Sequence, residues 1–175
     1  MTSWITRAVL VGAMAFAGSA AFAQEQSNNR VAAKTDWSVF VEDNPKECWA
    51  VSSPKETVNT RGGRVVAVRR GDILLFVFNR PGSAVKNQVT FTGGYPFASG
   101  STVGLDINGT QFELFSDGEW AWPATPSDDA KIVTAMKRGS SAVLTARSGR
   151  GTQTKDTFSL LGFTAGVEEA EKRCQ

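Results

Sequence analysis

The sequence predicts a mainly β fold, an antiparallel β-sandwich or barrel, with one short helix near 128–138 and a C-terminal helix near 163–173. Three observations predict it. Short runs rich in Val, Phe, Trp and Thr follow one another from Asp36 onwards. Gly-, Asn-, Asp- and Pro-containing pairs of turn character separate them. Two stretches of helical spacing interrupt them, one with start and stop signals at its ends. Many closely spaced strands of this kind form a sandwich or barrel, because each strand must bury one face.

Taken in order, the 175-residue chain opens with Arg7, an apolar run over 8–17 and the small-residue triplet Ala21-Phe22-Ala23. Basic start, apolar segment and small residues at a cleavage position are the order of a secretory signal peptide, placed at 1–23. The apolar run is shorter than the ~20 residues a spanning helix needs, so no transmembrane segment is expected after signal cleavage. Segment 24–34 is polar and aperiodic, and 24–35 is read as a flexible leader. The remainder, 36–175, is long enough for a single domain with one core.

Strands are expected at 37–42, 47–52, 64–70, 73–79, 85–91, 103–107, 111–115, 119–122, 142–148 and 152–160. Asn108-Gly109 is a two-residue hairpin signal, and Arg80-Pro81-Gly82, Asp117-Gly118 and 148–151 are turn-like. The run 73–78 is continuously apolar rather than alternating, which predicts burial on both faces, by an opposing sheet and by a helix or loop. For the first helix, Ser127 serves as N-cap, Asp128 and Asp129 occupy the first turn, Lys137 and Arg138 the last, and Gly139 the stop. Its small apolar side, Ile132, Val133 and Met136, is expected to lie on the sheet. In the second helix Val167 and Ala170 face inward and Cys174 pins the end.

Composition narrows the chemistry. Nineteen basic residues against seventeen acidic ones give a charge of +2, which is no nucleic-acid signature. Histidine is absent, so Ser-His-Asp and Cys-His nucleophile pairs, His metal sites and imidazole pH switches are excluded. Cys48 and Cys174, the two cysteines of an exported chain, are read as one disulfide, because neither a C-x-x-C spacing nor a His partner supports a reactive or metal-binding pair. Carboxylates remain as acid–base candidates, and the spacing of Asp106, Glu113, Asp117, Glu119, Asp128, Asp129 and Asp156 singles out no pair. No metal site, cofactor or catalytic residue is therefore expected.

Two groups are candidate binding residues. Trp120 and Trp122 stand two apart, so on a strand both rings point to one face. Paired indoles serve as a sugar platform or interface anchor, whereas Pro123 immediately after them argues for core packing, and exposure separates the two readings. Arg64, Arg69 and Arg70, with Arg61 and Arg80, flank the apolar run and could form a cationic rim for an acidic glycan or a partner; a solvated sheet face is the plainer reading. Arg70-Gly71-Asp72 matches an adhesion tripeptide, but a Gly-Asp pair between two strands is already turn chemistry.

Asp36-Trp37-Ser38-Val39 opening the domain, Glu47-Cys48-Trp49-Ala50-Val51, and the segment 155–164 before the terminal cysteine together resemble the invasion-associated locus B family of alphaproteobacteria. The likeness covers most of 36–174. It implies an exported, mostly β domain without an established enzymatic activity or cofactor. Many members carry a cysteine shortly after the opening Trp, where this chain has Phe40 and Val41, so its disulfide pattern is simpler. The expectation is a non-catalytic protein of the Gram-negative cell envelope, periplasmic or secreted, that binds an envelope protein or glycan. The alternatives are a carboxylate-dependent glycan hydrolase and a structural periplasmic protein.

Overall fold

A computed structural model describes residues 29–175; the expected signal peptide and the first residues of the leader lie outside them. The strands are β1 (Arg30–Lys34), β2 (Trp37–Asp43), β3 (Lys46–Ser52), β4 (Glu56–Arg61), β5 (Arg64–Val65), β6 (Leu74–Arg80), β7 (Val85–Thr92), β8 (Thr102–Ile107), β9 (Thr110–Asp117), β10 (Trp120–Trp122), β11 (Ser141–Arg147) and β12 (Gln153–Ser159). The helices are α1 (Pro126–Arg138) and α2 (Phe163–Arg173). All twelve strands join one antiparallel sheet in the order β1-β2-β3-β6-β7-β10-β9-β8-β11-β12-β4-β5, which does not close. The mainly β class and both helices are as expected; the sandwich or barrel takes the form of a single curled sheet.

The connection from β3 to β4 proves the curl. Residues 53–55 join strands that stand third and eleventh across the sheet, and so short a link reaches at most roughly 14 Å. The sheet must therefore fold back until its ends approach. There the Lys55 amide donates to the Thr157 carbonyl of β12, and the Trp37 indole of β2 donates to the Ser159 carbonyl at 3.0 Å. Inside the curl Phe91 of β7 meets Phe158 of β12 edge-on at 6.2 Å.

Alternation fills this interior. Trp37, Ala50, Leu75, Val77, Phe91, Leu105, Leu114, Leu144 and Phe158 all point inward and belong to one buried cluster. α2 adds Phe163, edge-on to Trp37 at 4.9 Å, and Val167. Ala170 packs with Val39 and Cys48, where the Cys48–Cys174 disulfide ties the end of α2 to β3. α1 buries Ile132, Val133 and Met136, as its spacing predicts.

Three local expectations are corrected, and one strand is added. The leader ends early, because Arg30–Lys34 pairs with β2 as an edge strand. The strand expected at 64–70 shrinks to Arg64–Val65, which pairs with β4 at the far edge of the sheet, and the chain from 66 to 73 crosses back to β6 without a hairpin. β4, too polar to announce itself, is a strand because β12 pairs with it. In α1 the cap is Thr125, whose hydroxyl accepts from the Asp128 amide at 3.2 Å, with Pro126 in the first turn.

Gly139 does end α1, for a packing reason. Its φ of −85° is open to any residue, but a Cβ there would press on Ile107 and Leu160.

α1 also repairs a gap in the sheet. β10 stops at Trp122, and continuing its register would set Pro123 opposite Val89 of β7. The buried Val89 amide instead donates to Asp129 Oδ1 at 2.7 Å. Burial, opposed by that hydrogen bond and aided by the charge of Asp128, raises the Asp129 carboxyl from 3.8 to about 6. Because the folded value lies above the unfolded one, this group's stabilising contribution is complete below pH ~4 and is lost as pH rises through about 6. Asp129→Asn, which keeps an acceptor for Val89, should flatten the fall in urea-unfolding free energy between pH 4 and 7. Asp129→Ala should cost about 1–3 kcal/mol by stranding the amide. An Asn variant with an unaltered pH slope would refute this account.

Candidate functional site

The outward faces of β2, β3, β6 and β10 carry a continuous line of rings. β2–β3 register sets Phe40 opposite Trp49, and β3–β6 register sets Trp49 opposite Phe78. Phe40 stacks on Trp49 at 5.6 Å with planes 5° apart, and Trp49 meets Phe78 at 5.8 Å. Phe78 stacks along its own strand on Phe76 at 5.0 Å, and Phe76 reaches Trp120 at 5.9 Å. That last contact spans β7, which sets Thr90 opposite Phe76 and Thr92 opposite Trp120 on this face. Their short side chains let rings from β6 and β10 meet above them.

The line ends openly. Trp120 is 44% exposed, Trp122 is half-buried, and Phe115, opposite Trp122 on β9, is 52% exposed. Ala121, between the two indoles, is the residue that enters the core. Pro123 thus ends the strand without turning the pair inward, and the core-packing reading of Trp120 and Trp122 is overturned.

At the β2 end a depression of about 730 Å³ is lined by Phe40, Trp49, Val51, Leu74 and Phe76. Asp36 and Lys55 form an ion pair at its border, and the hydrogen bond from Lys55 holds the Asp36 carboxyl below the usual carboxylate range.

This arrangement corrects the reading of 73–78 as a strand covered by a second layer on both sides. Leu75 and Val77 enter the core, whereas Leu74, Phe76 and Phe78 lie on the outward face. Phe76 is buried there by neighbouring rings. Phe40, Trp49, Phe76 and Phe78 were not singled out from the sequence. A signal existed, since Phe40 and Trp49 fall at positions alternate to the core residues Val39 and Ala50, but strands apolar on both faces do not say which face is covered.

The cationic rim is dispersed. Arg64 is exposed on β5, and Arg69 lines a separate depression at the strand ends. Arg70 turns inward: its guanidinium, with the side chain 6% exposed, grips the fully buried Asp156 carboxylate through two bonds of 2.7 and 2.6 Å. It also donates to the Gly93 carbonyl and lies over the Tyr95 ring at 5.0 Å. Arg70 is thus a structural residue and no part of a solvent-facing rim. The adhesion reading of Arg70-Gly71-Asp72 goes with it, because the arginine is not displayed. The backbone passes closely here, with the Gly71 amide bonded to the Gly94 carbonyl at 2.9 Å. Gly94, at φ +72°, has room for no side chain: a Cβ would lie 2.5 Å from the Gly71 carbonyl.

Arg80 stays near the aromatic line, its guanidinium 4.3 Å above the Phe78 ring and paired with Glu47 at 3.2 Å. Among the described residues no helix is long and apolar enough to cross a membrane. Residues 37–171 match the profile of the family described as Invasion associated locus B (IalB) protein. No curated protein and no solved structure matches the chain.

Proposed function

The chain belongs to the invasion-associated locus B family, and from that premise we propose that it is an exported, non-catalytic binding module of the cell envelope whose outward aromatic face docks a protein partner. The observation that carries this reading is the five-ring line from Phe40 to Trp120 on a sheet face that neither helix covers. The disulfide fits an oxidising compartment outside the cytoplasm, which agrees with the signal-like start of the sequence.

A protein partner is favoured over a glycan by how the rings are disposed. A sugar stacks on a free ring face, but Phe40 with Trp49 and Phe76 with Phe78 direct their faces at each other. What they offer is a ridged apolar surface with a polar border, the composition of an interface centre rich in Trp and Phe. Hydrolysis finds less support. A glycosidase needs two carboxyl groups ~5–9.5 Å apart across a cleft. Asp129 is committed to the Val89 amide and Asp156 to Arg70.

The Trp120→Ala/Trp122→Ala variant tests the reading. Its melting temperature should stay close to the parent's, because both side chains lie outside the core. Photo-crosslinking from position 115 in intact envelopes should trap one protein with the parent chain and lose that product with the variant. Co-sedimentation with purified peptidoglycan that the variant abolishes would replace the protein by a glycan. Crosslinking unaffected by the double substitution would remove the aromatic face from the function.

A further inference from the structure

We propose that the depression between the end of β4, the 66–73 crossover and the β11–β12 turn is a second binding site, for a small ligand carrying one oxyanion group, a carboxylate or a phosphate. It holds about 550 Å³, within the ordinary size range for small-molecule sites. Three cations from three separate segments line it: Arg61 from β4, Arg69 from the crossover and Arg150 from the turn. None of the three has an acidic partner among the described ion pairs.

The site's floor is built rather than improvised. The Arg70–Asp156 pair beneath it is internally neutral and nearly solvent-free, so Asp156 does not offset the three outer cations. The Tyr95 hydroxyl is hydrogen-bonded to Thr154 Oγ1, and the Arg61 guanidinium donates to Thr152 Oγ1 at 2.7 Å, which holds two of the walls in place. Glu119 is the carboxylate in the lining. It balances one positive charge and leaves an excess suited to one oxyanion on an otherwise polar body, not to a polyanion. Guanidinium forks match the two oxygens of a carboxylate or phosphate, and the Tyr95 ring with Val68 and Pro96 offers an apolar wall for the ligand's body.

The site is distinct from the aromatic face, and its failure would leave the docking proposal standing. Inorganic phosphate and glucuronate, with glucose as the uncharged control, are titrated calorimetrically into the full exported protein. Saturable binding of at least one acid and none of glucose is expected. Phosphate alone would identify a phosphate ester and glucuronate alone a carboxylate. Arg69→Gln and Arg150→Gln should each weaken binding at least tenfold without moving the ligand-free melting temperature. Arg64→Gln, on β5 outside the depression, should leave it unchanged. Absence of saturable binding by either acid, indifference to the Arg69 and Arg150 substitutions, or an equal loss in the Arg64 variant would each overturn the site.

Discussion

Replacing Arg70 by methionine is expected to lower the unfolding free energy by about 3–5 kcal/mol, a fall of roughly 10 °C in melting temperature for a chain of this size. The cause is the carboxylate left behind. Asp156 is fully buried on the inward face of β12, and Arg70 is its two-pronged partner. Without the guanidinium, a negative charge in the interior has neither solvent nor counterion. The Gly93 carbonyl and Asn59 Oδ1 lose a donor as well. The attraction within the pair is largely cancelled by the desolvation of both ions, so removing the two charges together should hurt less than removing one. Arg70→Met/Asp156→Leu should therefore recover at least half of the loss in thermal or urea unfolding. A double variant as unstable as the single, or a single variant within 1 kcal/mol of the parent, would show that the pair does not hold the crossover as described.

Loss of the Cys48–Cys174 bridge is expected to have an effect of similar size. The bond closes a loop of 126 residues, and constraining an unfolded chain of that length contributes about 2–5 kcal/mol. A structural consequence adds to this. α2 reaches the core through Phe163, Val167 and Ala170 while its other face is charged and solvated. Cys174 ends the helix on β3, beside the Asn79 carbonyl of β6. Released, the last turn of α2 should fray first, exposing Val39 and Ala32, which pack in the small cluster around the bridge. Reduction, or the Cys48→Ala/Cys174→Ala variant, should lower the melting temperature by roughly 5–15 °C and raise amide exchange in 167–174 before elsewhere. An unchanged transition would mean that packing alone secures α2.

Much of the local structure was legible in the sequence because it has local causes. Asn108 and Gly109 both adopt positive φ in the β8–β9 turn, as the Asn-Gly pair foretells. α1 was recognisable from Ile132, Val133 and Met136 and from its charged ends, although its cap lies at Thr125 instead of Ser127. β1 and β4 give little signal because each has a single valine and no other large apolar residue; each is a strand because a neighbour supplies hydrogen-bond partners. The site was legible only in fragments. Trp120 and Trp122 stand out by their spacing, but of their companion strands the sequence suggests cover on both faces for 73–78 and assigns no outward face to 37–42 or 47–52. Arg69 was found and Arg150 was not, since an arginine in a Ser-Gly-Arg-Gly turn carries no sign of the cavity beside it.

By itself, then, the sequence determined the strand-and-turn rhythm, the two helices, the pairing of its only two cysteines and the exclusion of histidine-based chemistry. These follow from side-chain periodicity, turn geometry and composition, which act over a few residues or over none. Only the tertiary structure decided which face of each strand is covered, that Arg70 belongs to Asp156 rather than to solvent, and that Arg61, Arg69 and Arg150 share one depression. Those outcomes depend on a sheet curling far enough to bring its third and eleventh strands within three residues of each other, a long-range closure that no short pattern encodes.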